Sequence, residues 1–216
     1  MDLLKSLLDF LLHLDKFLDA WANQYGVLLY AILFLIIFTE TGLIVMPLLP
    51  GDSLLFAAGA LAARDTNNLQ VGIIIPLLIG AALLGDNVNY FVGTKLGSQI
   101  KARERILFFK REYIYETEKF YAKHGGKTVI LARFIPIVRT IAPFVAGAGS
   151  MHYGTYIKNC ILGAILWVTS ITLLGYFFGN LAIVQKNFEI VVFGIVGLSL
   201  LPIVVQYVKQ RRAKAA

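Results

Sequence analysis

The sequence predicts an all-α multispanning membrane protein, arranged as an inverted repeat of a re-entrant hairpin plus a transmembrane helix, with amphipathic interfacial helices at its margins. Three observations predict it. Of the 216 residues, 58% are hydrophobic and only 15% charged, which excludes an ordinary soluble domain. The apolar segments come in two lengths: arms of about 10 to 16 residues, too short to cross a bilayer, and segments of roughly 20 or more, long enough to do so. The short arms flank proline-containing breaks that carry charge, and this combination occurs twice.

The net charge of +7 does not indicate a nucleic-acid partner. Its positive residues concentrate in 98–127 and in the tail 209–214, each beside apolar segments, which is the positive-inside pattern of a multispanning membrane protein with both stretches, and hence the C-terminus, in the cytoplasm. The single cysteine, Cys160, lies in an apolar run, so neither an internal disulfide nor a thiol metal cluster is available. No metal and no cofactor are expected.

The elements follow in order. Segment 1–22 places Leu4, Leu7, Leu8, Leu11, Leu14 and Leu18 at helical spacing with charges largely elsewhere, an amphipathic helix suited to the membrane interface. Segment 24–63 is a first re-entrant hairpin: an apolar arm ending in Thr39-Glu40-Thr41-Gly42, a centre containing Pro47 and Pro50-Gly51-Asp52-Ser53, and a second apolar arm. Asp52 stands where a helix N-cap belongs, whereas Glu40 ends an apolar arm with no capping position to fill and is a candidate functional acid. Segment 71–97 is long enough to span, with Asp86, Asn87 and Asn89 in its second half and Gly93 and Gly97 closing it. Asp86 must face protein or water, in a supporting or direct role.

Segment 98–124 alternates basic residues with Ile106, Phe108, Phe109 and Tyr113, a basic amphipathic connector expected to be helical at the cytoplasmic interface. Segment 126–150 is the second re-entrant hairpin, read from Arg133-Phe-Ile-Pro136-Ile-Val-Arg139-Thr140-Ile-Ala-Pro143. A charge at the bilayer centre costs about 3 kcal/mol or more, and an interior proline breaks the backbone ladder, so this segment needs the shelter of neighbouring protein. Segments 152–180 and 186–208 are further transmembrane helices.

The two hairpins match in the order of their prolines and glycines. Pro47 through Phe56-Ala-Ala-Gly59 parallels Pro136 through Phe144-Val-Ala-Gly147 with one gap. Gly93 and Gly97 likewise parallel Gly175 and Gly179. One full crossing between the copies makes the repeat inverted, which brings broken elements from opposite sides toward the midplane. Acids of the first hairpin, Glu40 and Asp52, are then expected to meet arginines of the second, Arg133 and Arg139, each lowering the other's burial cost. A mobile arginine partner switches such an acid between protonated and ionised forms. The arginines stay charged and offer bidentate donors to a phosphate or carboxylate. The glycine pairs suit close packing inside one chain or, alternatively, a homo-oligomer face.

At Glu40, Pro50-Gly51-Asp52, Gly85-Asp86 with Tyr90 and Gly93, and above all at Arg133 to Thr140 with Pro143 and Gly147, the chain is similar to the DedA family of bacterial inner-membrane proteins. That family lies within a wider group sharing the VTT domain with eukaryotic lipid scramblases. The resemblance implies a transporter driven by the proton motive force that returns undecaprenyl phosphate or a phospholipid across the membrane, with paired acids and arginines required. On this reading Arg133, Arg139 and Thr140 bind the substrate phosphate, Glu40 and Asp52 couple protons, and Asp86, Pro50, Pro136 and Pro143 support them. The partners are then a lipid phosphate, protons and the membrane. A proton-coupled antiporter of a small cation or drug is the alternative within transport. An intramembrane lipid phosphatase is disfavoured because His13, His124 and His152 lie near interfaces, so no enzyme activity is expected. A non-transporting assembly scaffold is the remaining class.

Overall fold

The computed structural model describes residues 21, 24–43, 51–64, 69–102, 105–106, 109–110, 121, 125, 127–149, 151–182, 184, 190–191 and 194. The amphipathic helix expected over 1–22, Pro50, and the last span expected over 186–208 lie outside the described residues, apart from isolated positions.

The described chain is almost wholly helical. Helix α1 covers Leu28–Gly42 and α2 Gly51–Ala62. Helix α3 runs Val71–Ala102, α4 Lys127–Ala132, α5 Pro136–Ala148 and α6 Tyr153–Phe178. Two are long and apolar enough to cross a membrane, Val71–Leu96 within α3 and Tyr153–Phe178, each of 26 residues, or about 39 Å at 1.5 Å per residue. Helices α1, α2 and α5, at 15, 12 and 13 residues, are too short to cross upright.

Three expectations are corrected. Helix α3 does not stop at Gly93 to Gly97 but continues to Ala102, because a helical glycine costs only about 1 kcal/mol and Gly93 is used for packing. In the connector, Arg105–Ile106 (β1) and Phe109–Lys110 (β2) pair antiparallel, Ile106 opposite Phe109. Ile106 is β-branched and Phe109 aromatic, residue types that favour strand over the helix expected. Asp52 lies inside the first turn of α2, after Gly51, so it meets the positive end of the helix dipole from within and not as the cap.

The chain folds into two compact units: Met1–Phe34 with Pro50–Leu78 and Val168–Ala216, and Leu35–Leu49 with Ile79–Trp167. In the first unit α2 is buried along nearly its whole length. A Cβ on Gly59 would lie 2.0 Å from the Thr172 carbonyl oxygen, and one on Gly175 would lie 2.0 Å from that of Phe56. The backbones of α2 and the end of α6 are therefore in direct contact, and only glycine permits it. The Gln70 N–H donates to the Tyr30 hydroxyl at 2.8 Å, fixing the entry to α3.

The second unit contains the matching arrangement. A Cβ on Gly93 of α3 would lie 2.1 Å from the Phe144 carbonyl oxygen, and one on Gly147 of α5 would lie 2.1 Å from that of Tyr90. Along α3 the exposed residues Leu84, Val88 and Phe91 form an apolar stripe, while Ala81, Ala82, Asp86, Asn89, Tyr90 and Gly93 are buried. Oil outside and polar groups inside is the reverse of a soluble helix, and it is the pattern a lipid-facing helix requires.

Candidate functional site

Every residue of the site lies in the second unit. The chain reaches α4 through Gly125, whose φ of +65° favours glycine. At Ala132 the helix gives way to a tight turn, in which the Arg133, Phe134 and Ile135 N–H groups donate to the carbonyls of Ile130, Leu131 and Ala132. Ile135 is extended, as a residue before proline must be, and Pro136 then opens α5 with a fixed φ at a position where no N–H is required. Arg133 thus sits in the break between two short helices, and Arg139 follows within α5. Pro143, buried inside α5, brings no N–H to the ladder.

Both arginines are buried, at 4% and 5% exposure, and so are Glu40 at 1% and Asp86 at 2%. They form two ion pairs. Arg139 Nη2 donates to Glu40 Oε1, from the end of α1. Arg133 Nη2 donates to Asp86 Oδ2, from the middle of α3. The Arg139 guanidinium also lies over the Trp167 ring, 4.6 Å from its centroid, adding a cation–π contact in a dry setting. Each charge offsets the desolvation of its partner, which neither could bear alone.

Around these pairs the polar groups are tied together. Asn89 Nδ2 donates to the carbonyls of Thr140 (2.7 Å) and Thr41 (3.3 Å), so one amide joins α3 to α5 and α1. Arg133 Nη2 also reaches Cys160 Sγ at 3.2 Å and the Cys160 carbonyl at 3.4 Å. The Cys160 thiol donates to Asp86 Oδ2 at 3.4 Å, and the Tyr156 hydroxyl donates to the Asp86 carbonyl at 3.0 Å. Gly163, one turn beyond Cys160, leaves room for the stem of Arg133, whose Cδ a Cβ there would approach to 3.0 Å. Tyr90 stacks on Tyr156 with centroids 4.4 Å apart and donates to the Met151 carbonyl at 2.7 Å. Tyr121 donates to the Ala142 carbonyl at 2.8 Å. Burial, and after it the charge of Asp86, pushes its phenol above the ordinary range, so it stays a donor.

Of the residues expected at the site, Glu40, Asp86, Arg133, Arg139 and Thr140 come together in this unit. The pairing expected for Arg133, with an acid of the first hairpin, is corrected: its partner is Asp86 of the spanning helix. Asp52 belongs to the other unit, and Pro50 lies outside the described residues. Sequence reasoning missed Asn89, Tyr156, Cys160, Gly163 and Trp167 as neighbours of the charges. Only Asn89 carried a signal, as a second polar residue beside Asp86 in a spanning segment. Among the described residues no group of His, Cys, Asp and Glu could hold a metal ion.

A helical membrane protein that buries two acid–guanidinium pairs among its helices is the class these features define. A VTT domain model matches residues 49–177. Protein DedA of Escherichia coli strain K12 is 50% identical over 215 residues, covering 100% of this chain and 98% of the relative. An uncharacterized membrane protein of Mycobacterium tuberculosis strain H37Rv is 40% identical over 197 residues, covering 90% and 86%. Inner membrane protein YqjA of Escherichia coli strain K12 is 33% identical over 186 residues, covering 86% and 83%. The chain belongs to the DedA family of VTT-domain membrane proteins. No solved structure matches it.

Proposed function

We propose that the protein is a transporter driven by the proton motive force that flips a lipid phosphate, undecaprenyl phosphate or a phospholipid, across the bacterial inner membrane. The observation that carries this reading is the pair of buried guanidinium groups, one at the break before α5 and one within it, each held by one acid. Arginines kept in so costly a place are functional groups by default, and a planar fork of donors suits phosphate better than any other common cargo. In the proposal Arg133, Arg139 and Thr140 receive the phosphate, and Glu40 exchanges Arg139 for a proton. Asp52, in the first unit, is the second proton-coupling acid of the proposal.

A proton-coupled antiporter of small cations or drugs is less well supported, because Glu40 and Asp86 already have guanidinium partners that repel a cation. The reciprocal backbone contacts support an internal repeat: Phe56 and Gly59 meet Gly175 and Thr172, as Phe144 and Gly147 meet Gly93 and Tyr90. We read 24–63 and 126–150 as its two re-entrant hairpins, of inverted topology in a multi-pass chain with a cytoplasmic C-terminus.

The test is purified protein in liposomes under an imposed pH gradient, with polyprenyl phosphate and phospholipid supplied side by side. Wild type is expected to move one of them, and Glu40→Gln and Arg133→Ala to lower the rate at least about tenfold, the 1.4 kcal/mol that a lost charged hydrogen bond is worth or more. Equal movement by both variants, or none by wild type, would refute the reading.

A further inference from the structure

We propose that Asp86 is the proton-carrying acid that gates Arg133: protonated it releases the guanidinium to the lipid phosphate, and ionised it withdraws it, with Cys160 and Tyr156 as positioning residues. The inference rests on the lipid-phosphate reading above and adds the group that regulates the site.

The geometry of one nitrogen carries it. A guanidinium offers a phosphate two bidentate edges, Nη1 with Nη2 and Nε with Nη2. Nη2 is common to both. In this structure Nη2 takes all the contacts, to Asp86 Oδ2, to Cys160 Sγ and to the Cys160 carbonyl. Arg133 Nε and Nη1 are buried without a hydrogen-bond partner among the described residues. Buried N–H groups of a charged donor are seldom left so. Each fork uses a different one of the two Nη2 N–H groups, so the carboxylate oxygen occupies one fork, the other half of which stands ready. Adding one proton to the Asp86 carboxylate makes a neutral acid, leaves Arg133 charged, and restores that edge to an incoming phosphate oxygen pair. Loss of that proton returns the anion to Nη2 and displaces the phosphate.

The surroundings hold Asp86 to this exchange. Arg133 faces it from the break after α4, Cys160 and Tyr156 from α6. The charge of Arg139 on α5 and the Tyr121 phenol are also within electrostatic reach. The Tyr156 hydroxyl fixes the backbone carbonyl of Asp86, so the carboxyl group moves on a pinned base. Cys160 hydrogen-bonds the same oxygen as Arg133, so its S–H senses whether that oxygen is charged. It is the one cysteine of the chain, so its S–H stretching band can be assigned without substitution.

The experiment uses the full chain in detergent and short-chain phosphatidylglycerol, whose diester charge stays constant across about pH 5 to 9. Wild-type affinity is expected to fall about tenfold per pH unit above the midpoint, the slope for one linked proton. Asp86→Asn should bind as tightly as wild type at low pH and show no slope, and Asp86→Glu should restore one. Where Asp86→Asn does not fold, the infrared S–H band of wild-type Cys160 answers alone: it should shift with the same midpoint. A slope unchanged in Asp86→Asn, or an S–H band indifferent to pH, overturns the Asp86 gate while leaving lipid transport standing. Neither phosphatidylglycerol nor polyprenyl phosphate bound at any pH, with the band still titrating, overturns the lipid-phosphate reading and leaves Asp86 a protonating acid.

Discussion

Glu40 and Arg139 illustrate how one residue's cost becomes another's support. Removing one member of a buried pair strands the other in low dielectric, at about 3–5 kcal/mol, whereas neutralising both is often harmless. Arg139→Ala should therefore destabilise the folded protein by about that amount, and Glu40→Gln combined with Arg139→Gln should recover most of it, read as thermal unfolding midpoints in detergent. Arg139→Lys should not restore wild-type stability, since an ammonium cannot lie as a plane over Trp167. At this scale the sequence was informative about which residues mattered and silent about who held whom. An acid at the end of an apolar arm and two arginines beside prolines are anomalies visible in one dimension. That Arg133 belongs to Asp86 depends on how two helices distant in sequence face each other, and Cys160 and Tyr156 look like ordinary members of an apolar span.

The helices meet through glycine. Because Gly93 and Gly147 let α3 and α5 touch backbone to backbone, a side chain at either position must push the two helices apart. Gly147→Val is expected to abolish recovery of monodisperse protein. By contrast, Gly80→Ala, within the same α3 but with nothing inside 4 Å of the added carbon, should fold normally and gain up to about 1 kcal/mol from helix propensity; size-exclusion profiles and melting curves check both. Element types and approximate lengths were legible because hydrophobic length and proline position act locally. Where α3 ends, and that β1 and β2 pair at all, were not, since glycine is a weak breaker and a hairpin of paired dipeptides leaves almost no periodic signal.

For the whole molecule, membrane residence follows from the outward apolar faces, and it predicts a solvent-shielded thiol. Cys160 has no exposed surface, so a small maleimide should leave it unmodified in folded protein and label it fully after denaturation, read by intact mass. Both arginines are neutralised within the second unit, which supplies both acids, Glu40 and Asp86. Among the described residues, its fully buried charges are Glu40, Asp86, Arg133 and Arg139, and they sum to zero. Electrically, this buried cluster leaves the site itself neutral. If it ferries a lipid monoanion with one proton, the pair crosses as a neutral load and generates no current. A potassium ionophore that clamps the membrane voltage at zero should then leave transport running, while collapse of the pH difference alone should stop it.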